Sequence, residues 1–382
     1  MDKLKIGIYG ATGSVGLEAI EALINHPWFE VAHLYASERS AGKKYREACP
    51  LDTSFLPESI SEMIVEPINM DKAPKDVDIA FFALSEDIAK EYELKYAHKF
   101  AKHLTVITTS SALRMQEKVP LIITEVNADE HLRLAEDYRR EFNSKGAPFP
   151  QCNCTTVPFA FALKPLLETV GVEVAFMSSY QSVSGSGAKA LKKWEEERLS
   201  EERLPKPFQF KTVVKDPEVV YEGNIRPIGV KDSKDEEGKV IVETLKILGK
   251  YKDGSIIPAS FMVDCMCNRV PTFRGHYEHI RVKPVKSCST EDVIEIYKDF
   301  NKRCKELYGD LPSSPEDHLI VLDRQPQTRF DVTLGDGMSI VIGEVEVKNG
   351  WIKLRALSDN LKKGAAKGSI QLMEYLYKIG FI

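Results

Sequence analysis

The chain has 382 residues, of which 43% are hydrophobic and 29% charged, and its formal net charge is −5. This length suggests two or three domains with ample core, and the negative charge excludes a general basic surface for nucleic acid. No stretch approaches the roughly 20 apolar residues of a membrane span, and an odd count of seven cysteines favours a reducing cytoplasm over a disulfide framework.

The first predicted element is a strand that leads into a glycine-rich loop. Residues 4–9 form a short apolar run, residues 10–16 read Gly-Ala-Thr-Gly-Ser-Val-Gly, and a helical pattern covers residues 17–24. In such a unit the glycines let the backbone approach a pyrophosphate, whose charge faces the helix N-terminus. The alternative is a plain glycine turn, because the spacing G-x-x-G-x-x-G differs from the commoner G-x-G-x-x-G. We predict a dinucleotide site formed by Gly10, Ala11, Thr12, Gly13, Ser14 and Val15.

The second predicted strand, residues 29–36, ends in a segment that bears on the choice of cofactor. An NAD enzyme usually places an acidic residue there to hold the ribose 2′-hydroxyl. Here the segment carries Ser37, Arg39 and Ser40, which suit a 2′-phosphate, while Glu38 must point away. The pattern favours NADP over NAD, and the alternative is a solvated charged loop.

Strands and helices alternate through the rest of the N-terminal part. Apolar runs predict strands at residues 77–84, 104–108 and 121–124, and helical patterns cover residues 87–102 and 129–142. This alternation indicates a doubly wound parallel sheet. The glycine and proline that follow, at residues 144–148, resemble a domain boundary.

Cys154 precedes a predicted buried helix at residues 157–167. Pro158 fits the first turn of that helix, where its missing N–H costs nothing. The thiol then lies at a helix N-terminus, where unpaired N–H groups and the helix dipole favour the thiolate. This setting suits a nucleophile, and the alternative is a small buried apolar residue.

A change of pattern after Cys154 predicts a second domain. Residues 172–180 and 277–283 alternate between polar and apolar, as half-solvated strands do. We therefore expect an α+β domain whose sheet has one covered face. Residues 194–206 predict a charged helix or lid, and residues 231–239 predict a polar loop.

A polar cluster lies at residues 265–276, where His276 follows Arg269 and Arg274. A histidine can activate a thiol and act as acid or base, and the alternative is a structural histidine. Two C-x-C pairs, one of which includes Cys154, would also allow a four-cysteine zinc site. Their spacing is shorter than structural zinc sites prefer, so no metal is expected.

Taken in order, these motifs resemble the aspartate-semialdehyde dehydrogenases, especially the archaeal and fungal branch. The resemblance runs nearly end to end, through residues 10–16, 36–43, 110–115, 119–121, 125–127, 153–156, 181–187, 243–246, 269–276 and 358–366. The chain departs from the family pattern just after Cys154, after Gly187 and at Lys367. These departures bear on cofactor contacts and substrate preference more than on the type of reaction.

The resemblance implies a glyceraldehyde-3-phosphate-dehydrogenase-like fold of two domains. A Rossmann-like NADP-binding domain would cover residues 1–153 and would be completed by the C-terminal helix at residues 359–382. Residues 154–358 would form an α+β catalytic and dimerisation domain. The resemblance further implies a homodimer, or a homotetramer made of two dimers, that acts on small molecules and has no nucleic-acid or membrane partner.

The resemblance also implies a reaction. Cys154 attacks the aldehyde, His276 manages the protons, hydride passes to NADP, and inorganic phosphate releases the resulting thioester as an acyl phosphate. In the biosynthetic direction β-aspartyl phosphate becomes aspartate β-semialdehyde, which leads to lysine, threonine and methionine. The rival activities are a malonyl- or succinyl-CoA reductase of the same fold, an N-acetylglutamyl-phosphate reductase, and a catalytically silent NADP-binding protein.

Further residues receive roles through the same resemblance. Gln181 would orient the acyl group, Arg269 would grip the α-carboxylate in a fork, and Glu243 would face the ammonium. Arg114 and Lys246 would hold phosphate. Without the resemblance, Glu243 and Lys246 would be interpreted as an i,i+3 surface pair on a helix. The implied site is completed by Asn153 for the substrate and by Ala83, Gly187 and Asn360 for the cofactor.

Overall fold

The computed structural model describes residues 2–69, 71, 74, 76–199, 225–227 and 236–382. In its N-terminal part, strands alternate with helices. The strands are β1 Leu4–Tyr9, β2 Phe29–Ala36, β3 Glu66–Pro67, β4 Ile79–Phe82, β5 Thr105–Thr108 and β6 Pro148–Pro150. The helices are α1 Ser14–Leu23, α2 Tyr45–Ala48, α3 Glu58–Ser61, α4 Glu86–Ala101 and α5 Thr124–Phe142. The strands form a parallel sheet in the order β3-β2-β1-β4-β5-β6, which is the doubly wound order of dinucleotide-binding domains and confirms the predicted fold class.

The strand predicted at residues 121–124 is wrong. The run is buried, but its backbone is hydrogen-bonded to the side chain of Asn127. Oδ1 accepts from the N–H of Ile123, and Nδ2 donates to the carbonyl of Leu121, both at 2.8 Å. These bonds replace a strand ladder. The sixth strand is instead β6, whose two prolines are tolerated because it lies at the edge of the sheet. The first sheet therefore continues past the boundary predicted at residues 144–148.

The second part of the chain adds a mixed sheet that is covered on one face. Its strands, including the separate hairpin β9–β10, are β7 Val172–Gln181, β8 Arg226–Pro227, β9 Lys250–Lys252, β10 Ser255–Ile257, β11 Met262–Arg269, β12 His276–Pro284, β13 Leu319–Leu322, β14 Ile340–Lys348 and β15 Trp351–Ser358. Its helices are α6 Thr156–Thr169, α7 Ala188–Leu199, α8 Glu236–Ile247 and α9 Thr290–Tyr308, and α10 Ala366–Lys378 closes the chain. The sheet has the order β13-β14-β15-β12-β7-β11-β8. Helices α6 and α9 pack on one face, whereas Phe176, Met262 and Met266 are exposed on the other, which confirms the predicted α+β domain.

The C-terminal segment returns to the first domain. Helix α10 packs against α1 and α5, and its Ile370, Met373 and Leu376 belong to the hydrophobic core of the N-terminal sheet. Strand β15, which precedes this segment, pairs with β12 in the second sheet. Residues 359–365 therefore pass from one domain to the other and lie where a site between them would form.

Two predicted polar segments lie partly outside the described residues. The charged helix predicted at residues 194–206 overlaps α7, which ends at Leu199, and the remainder falls outside. The polar loop predicted at residues 231–239 falls outside as far as residue 235, and Glu236 then begins α8. Among the helices of the described part, none combines the length and apolar character needed to cross a membrane.

Candidate active site

Three of the predicted site residues lie in one row across the second sheet. Gln181 at the end of β7 is the register partner of Arg269 on β11 and of His276 on β12. Directly opposed residues on neighbouring strands point to the same face. The loop between β11 and β12 crosses the end of β7, where the N–H of Val270 donates to the carbonyl of Gln181 at 2.9 Å. This crossing brings Arg269 and His276 to either side of Gln181.

The thiol of Cys154 meets His276 above this row. The Sγ of Cys154 lies 3.2 Å from Nε2 of His276, and Thr155, the next residue, occupies the N-cap position of helix α6 without a side-chain capping bond. On the far side of the ring, the backbone N–H of Ser182 donates to Nδ1 at 3.3 Å. Because that N–H can only donate, it favours the neutral tautomer that carries its hydrogen on Nε2, facing the sulfur. Ser182 Oγ, 3.5 Å from Nδ1, offers an acceptor for the other tautomer.

Both members of this pair are electrically neutral at rest. Burial, and then the Glu236 carboxylate, raise the pKa of Cys154 to about 12, which outweighs the lowering by Arg269 and Arg114. Burial, and then Arg269, lower the pKa of His276 to about 3. Desolvation therefore dominates over the helix-terminus effect that was expected to favour a thiolate. The thiol must give up its proton during the reaction.

Arg114 and Glu243 form a buried ion pair next to Cys154. Nη1 of Arg114 donates to Oε1 of Glu243 at 3.0 Å, and both side chains are almost fully buried. The other carboxylate oxygen accepts from the N–H of Asn153 at 2.6 Å. Nη2 of Arg114 donates to the carbonyl of Thr109 at 3.2 Å. Two residues that were expected to bind different substrate groups thus neutralise each other in this structure.

Lys246 forms hydrogen bonds with the backbone of the segment that carries Arg114. Its ammonium donates to the carbonyls of Arg114, Gln116 and Val119 at 2.7, 2.9 and 2.9 Å, which uses all three of its hydrogens. Burial lowers its pKa to about 8, so the ammonium is still the main form at neutral pH. These contacts differ from the expected phosphate ligand. They also contradict the interpretation of Glu243 and Lys246 as a surface pair, since both are buried.

The glycine loop has the shape of a phosphate cradle. Gly10 has φ +86°, and a Cβ there would stand 2.3 Å from the carbonyl oxygen of Ala83. A Cβ on Gly16 would stand 2.5 Å from the carbonyl oxygen of Gly10, so α1 can approach β1 this closely only without side chains. Gly13 is the N-cap of α1. Past the end of β2, Ser37 and Arg39 are exposed, whereas Ser40 is buried.

Asn360 connects the two loops that surround His276. Its Oδ1 accepts from the N–H of Gly275 at 2.9 Å and from the hydroxyl of Ser182 at 3.0 Å, and its Nδ2 donates to Ser184 Oγ at 3.0 Å. The amide is buried. These contacts lie within the protein, whereas the resemblance implied a cofactor contact. Gly187, with φ +85°, ends the short 3₁₀ turn before α7.

Comparison with known proteins identifies the family. Residues 5–134 match the semialdehyde dehydrogenase NAD-binding domain, and residues 163–363 match the semialdehyde dehydrogenase dimerisation domain. An aspartate-semialdehyde dehydrogenase of Archaeoglobus fulgidus is 35% identical over 380 residues, which covers 98% of each chain. The chain belongs to the aspartate-semialdehyde dehydrogenase family. The predicted family and enzyme class are thereby confirmed.

Two further relatives of this aspartate-semialdehyde dehydrogenase family member bear on cofactor and substrate. The crystal structure of the Candida albicans aspartate-semialdehyde dehydrogenase with NADP superposes with a TM-score of 0.81 at 29% identity and covers 100% of both chains. A malonyl-CoA reductase (NADP) of Metallosphaera sedula is 29% identical and covers 99% of this chain and 98% of its own.

Sequence reasoning missed three neighbours of the Cys154–His276 pair. Ser182 lies in the segment of residues 181–187, in which the resemblance gave roles only to Gln181 and Gly187. Glu236 accepts from Asn153 Nδ2 at 2.8 Å, although its position was interpreted as a polar loop. Gly364 packs against Cys154 within the family's closing motif. The first and last of these stood in recognised motifs, whereas no local pattern marks Glu236.

Proposed function

We propose that the protein catalyses the NADP-dependent reductive dephosphorylation of β-aspartyl phosphate to aspartate β-semialdehyde, in the biosynthesis of lysine, threonine and methionine. The observation that carries this proposal is the 3.2 Å contact between Cys154 Sγ and His276 Nε2, beside Gln181 and Arg269 in one row of the sheet. A thiol with an adjacent base, next to a cationic group, is the arrangement that acyl transfer to cysteine requires.

The residues of the site account for the acyl-transfer steps. Cys154 would attack the acyl phosphate carbon as its proton passes to His276, and phosphate would leave as the thioester forms. Bound NADPH would supply the hydride that reduces this thioester. His276 would return the proton as the thiol departs from the aldehyde. His276 is neutral at rest. The tautomer that takes the proton is the one with its hydrogen on Nδ1, donated to Ser182 Oγ, because its Nε2 then turns a free lone pair toward the thiol.

The ion pairs of the site suggest how the charged groups of the substrate are bound. Arg269 would hold the α-carboxylate, for which a guanidinium fork is suited. The phosphate of the substrate would bind Arg114 and its ammonium would bind Glu243. These contacts would replace the ion pair that the two side chains form with each other. Lys246 would act by fixing the backbone around Arg114. Asn153 and Gln181 would line the acyl group.

NADP would bind at the glycine loop. The tight turn that Gly10 and Gly16 allow would present the N-terminus of α1 to a pyrophosphate. The cradle would be completed by Ala11, Thr12, Gly13, Ser14 and Val15. Ser37, Arg39 and Ser40 would contact the 2′-phosphate. The NADP in the Candida albicans structure supports this choice. Ala83 and Gly187 would contact the cofactor, and Asn360 would act through the loops that it joins.

A malonyl- or succinyl-CoA reductase is the second candidate because a malonyl-CoA reductase is among the relatives. The buried Arg114–Glu243 pair argues against it, since the acyl group of malonyl- or succinyl-CoA carries neither a phosphate nor an ammonium for these two residues. The deciding assay is NADPH formation from aspartate semialdehyde with and without phosphate, alongside NADPH consumption with malonyl-CoA and with N-acetylglutamyl phosphate. Phosphate-dependent oxidation of the semialdehyde is expected. If malonyl-CoA were the only one of these substrates to be turned over, the acyl-CoA reductase would replace the proposed function.

We further propose a cytoplasmic homodimer, or a tetramer of two dimers, that associates through the open face of the second sheet. Phe176, Met262 and Met266 are exposed there, and residues 163–363 match a dimerisation domain. We propose that residues 1–153 and 359–382 together form the cofactor-binding domain and that residues 154–358 form the catalytic and dimerisation domain. Light scattering of the intact protein and of Met266→Asp tests the interface, because a buried charge should weaken it.

A further inference from the structure

Arg274 engages carboxylates from both parts of the fold. Its Nη2 donates to Oε2 of Glu18 at 3.0 Å, and Nη1 lies 3.0 Å from Oε1 of the same residue. Its Nε lies 2.6 Å from Oδ2 of Asp359. The side chains of Arg274, Glu18 and Asp359 are 21, 14 and 4% exposed, so solvent screens this junction only weakly.

Both carboxylates belong to segments that reach the candidate site. Glu18 lies in the first turns of α1, directly after the glycine loop. Asp359 follows β15, and its Oδ1 accepts from the N–H groups of Leu361 and Lys362, each at 2.9 Å. The next residue along the chain, Asn360, accepts from the N–H of Gly275. Two consecutive residues of the loop that ends at His276 are therefore held by two consecutive residues of the interdomain segment.

We propose that Arg274 is a positioning residue for the reaction: it holds the loop before His276 against α1 and Asp359, and thereby keeps the imidazole in contact with Cys154. This rests on the proposed function, since it concerns the pair that would form the thioester. The loop needs such support because it crosses the end of β7, and Gly275 takes φ +97° within it. Arg274 also ties the position of His276 to the helix that would bind the cofactor pyrophosphate.

Graded substitutions separate this role from a general loss of charge. Arg274→Gln removes the ion pairs with Glu18 and Asp359, and Arg274→Lys keeps the positive charge but loses the guanidinium fork. Glu18→Gln weakens only the contact with α1. We expect kcat to fall roughly 10- to 100-fold for Arg274→Gln, as misplaced reacting groups do, with a smaller fall for the other two. The KM values for acyl phosphate and NADPH should change little. The control is Arg303→Gln, which breaks the 2.8 Å pair between Arg303 on α9 and Glu168 near the C-terminal end of α6 and should leave kcat unchanged.

A second readout needs no turnover. Iodoacetamide alkylation of Cys154 in the cofactor-free protein, followed by peptide mass analysis, reports the contact with His276, because Nε2–H stabilises the reacting thiolate. Arg274→Gln should slow alkylation several-fold at pH 8 and change its pH profile, while Arg303→Gln should not. If the intact protein fails to use aspartyl phosphate, the proposed function fails, and alkylation still decides the role of Arg274.

Three outcomes would overturn the proposal. Arg274→Gln could keep the kcat and alkylation rate of the parent protein. It could raise only the KM for NADPH, which would make Arg274 a cofactor ligand. It could lower only the melting temperature, with kcat per folded molecule and alkylation unchanged, which would make the junction purely structural.

Discussion

Gly364 lies so close to Cys154 that a Cβ at residue 364 would stand 2.9 Å from the Cβ of Cys154. The same atom would stand 2.8 Å from the carbonyl oxygen of Asn360. Residue 364 therefore fits between Cys154 and the backbone of Asn360 only because it has no side chain. Through this contact the C-terminal segment forms part of the wall of the candidate site.

Gly364→Ala is expected to reduce activity more than stability. Overpacking of a buried position costs roughly 1–3 kcal/mol, but here the displaced neighbour is the nucleophile. We expect kcat to fall roughly 10- to 100-fold, as for other small displacements of reacting groups. The measurement is kcat per folded molecule, together with the melting temperature. A variant with the parent kcat would show that the segment can yield without moving Cys154.

Cys154→Ala should abolish phosphate-dependent oxidation of the semialdehyde and leave NADPH binding intact. The matched control is Cys152→Ala, because Cys152 is buried and burial raises the pKa of its thiol well above the usual value. That variant should keep most of its activity. Fluorescence titration with NADPH and steady-state rates test both. An inactive Cys152 variant beside an active Cys154 variant would refute the assignment of the nucleophile.

Arg269→Lys should impair binding of the substrate carboxylate while leaving the requirement for phosphate nearly unchanged. Lysine keeps the charge but loses the bidentate fork, and the expected loss in transition-state binding is roughly 2–4 kcal/mol. Nη1 of Arg269 also donates to the carbonyl of Ser182 at 2.6 Å, next to His276, so kcat should fall as well. Separate titrations of phosphate and semialdehyde measure the effect. Equal damage to both substrates would contradict the proposed division of roles.

Lys246→Met tests whether Lys246 acts on the backbone or on phosphate. The substitution leaves the carbonyls of Arg114, Gln116 and Val119 without their donor, which should cost about 1–3 kcal/mol of unfolding free energy and raise the KM for phosphate indirectly. The control is Lys118→Met in the same segment, whose side chain is one-third exposed. A raised KM with unchanged stability would instead identify Lys246 as a direct phosphate ligand.

Local patterns predicted the parts of the fold that local physics decides. The glycine loop was recognisable because strand, loop and helix follow each other in sequence, and the alternating strands indicated a half-covered sheet. The apolar run at residues 121–124 misled because a side chain, Asn127, satisfies its backbone. Strand β6 was not predicted because its two prolines are untypical of a strand. The partners of Lys246 and Asn360 could not be predicted, because they depend on segments that only tertiary packing brings together.

Glu93 on α4 should make stability depend on pH. Its side chain is buried, and Oε2 accepts from the hydroxyls of Thr108 and Ser110 at 2.7 and 2.5 Å. Burial raises its pKa to about 7, against the lowering by these hydrogen bonds and by Arg114. Between the usual value of 4.5 and this value, the folded state binds more protons than the unfolded state. The contribution of Glu93 is therefore fully present below pH 4.5 and is lost as the pH rises to about 7.

Glu93→Gln cannot ionise, so it should remove this dependence. Relative to the parent protein, its free energy of unfolding should improve by roughly 2–4 kcal/mol between pH 4.5 and pH 8, on the scale of 1.36 kcal/mol per pH unit. Urea unfolding at several pH values measures the difference. Glu91→Gln is the control, because Glu91 is exposed on the same helix, and it should leave the difference from the parent constant. An equally flat difference for Glu93→Gln would mean that the pKa of Glu93 in the folded protein stays near its usual value, because its two hydroxyl donors offset the effect of burial.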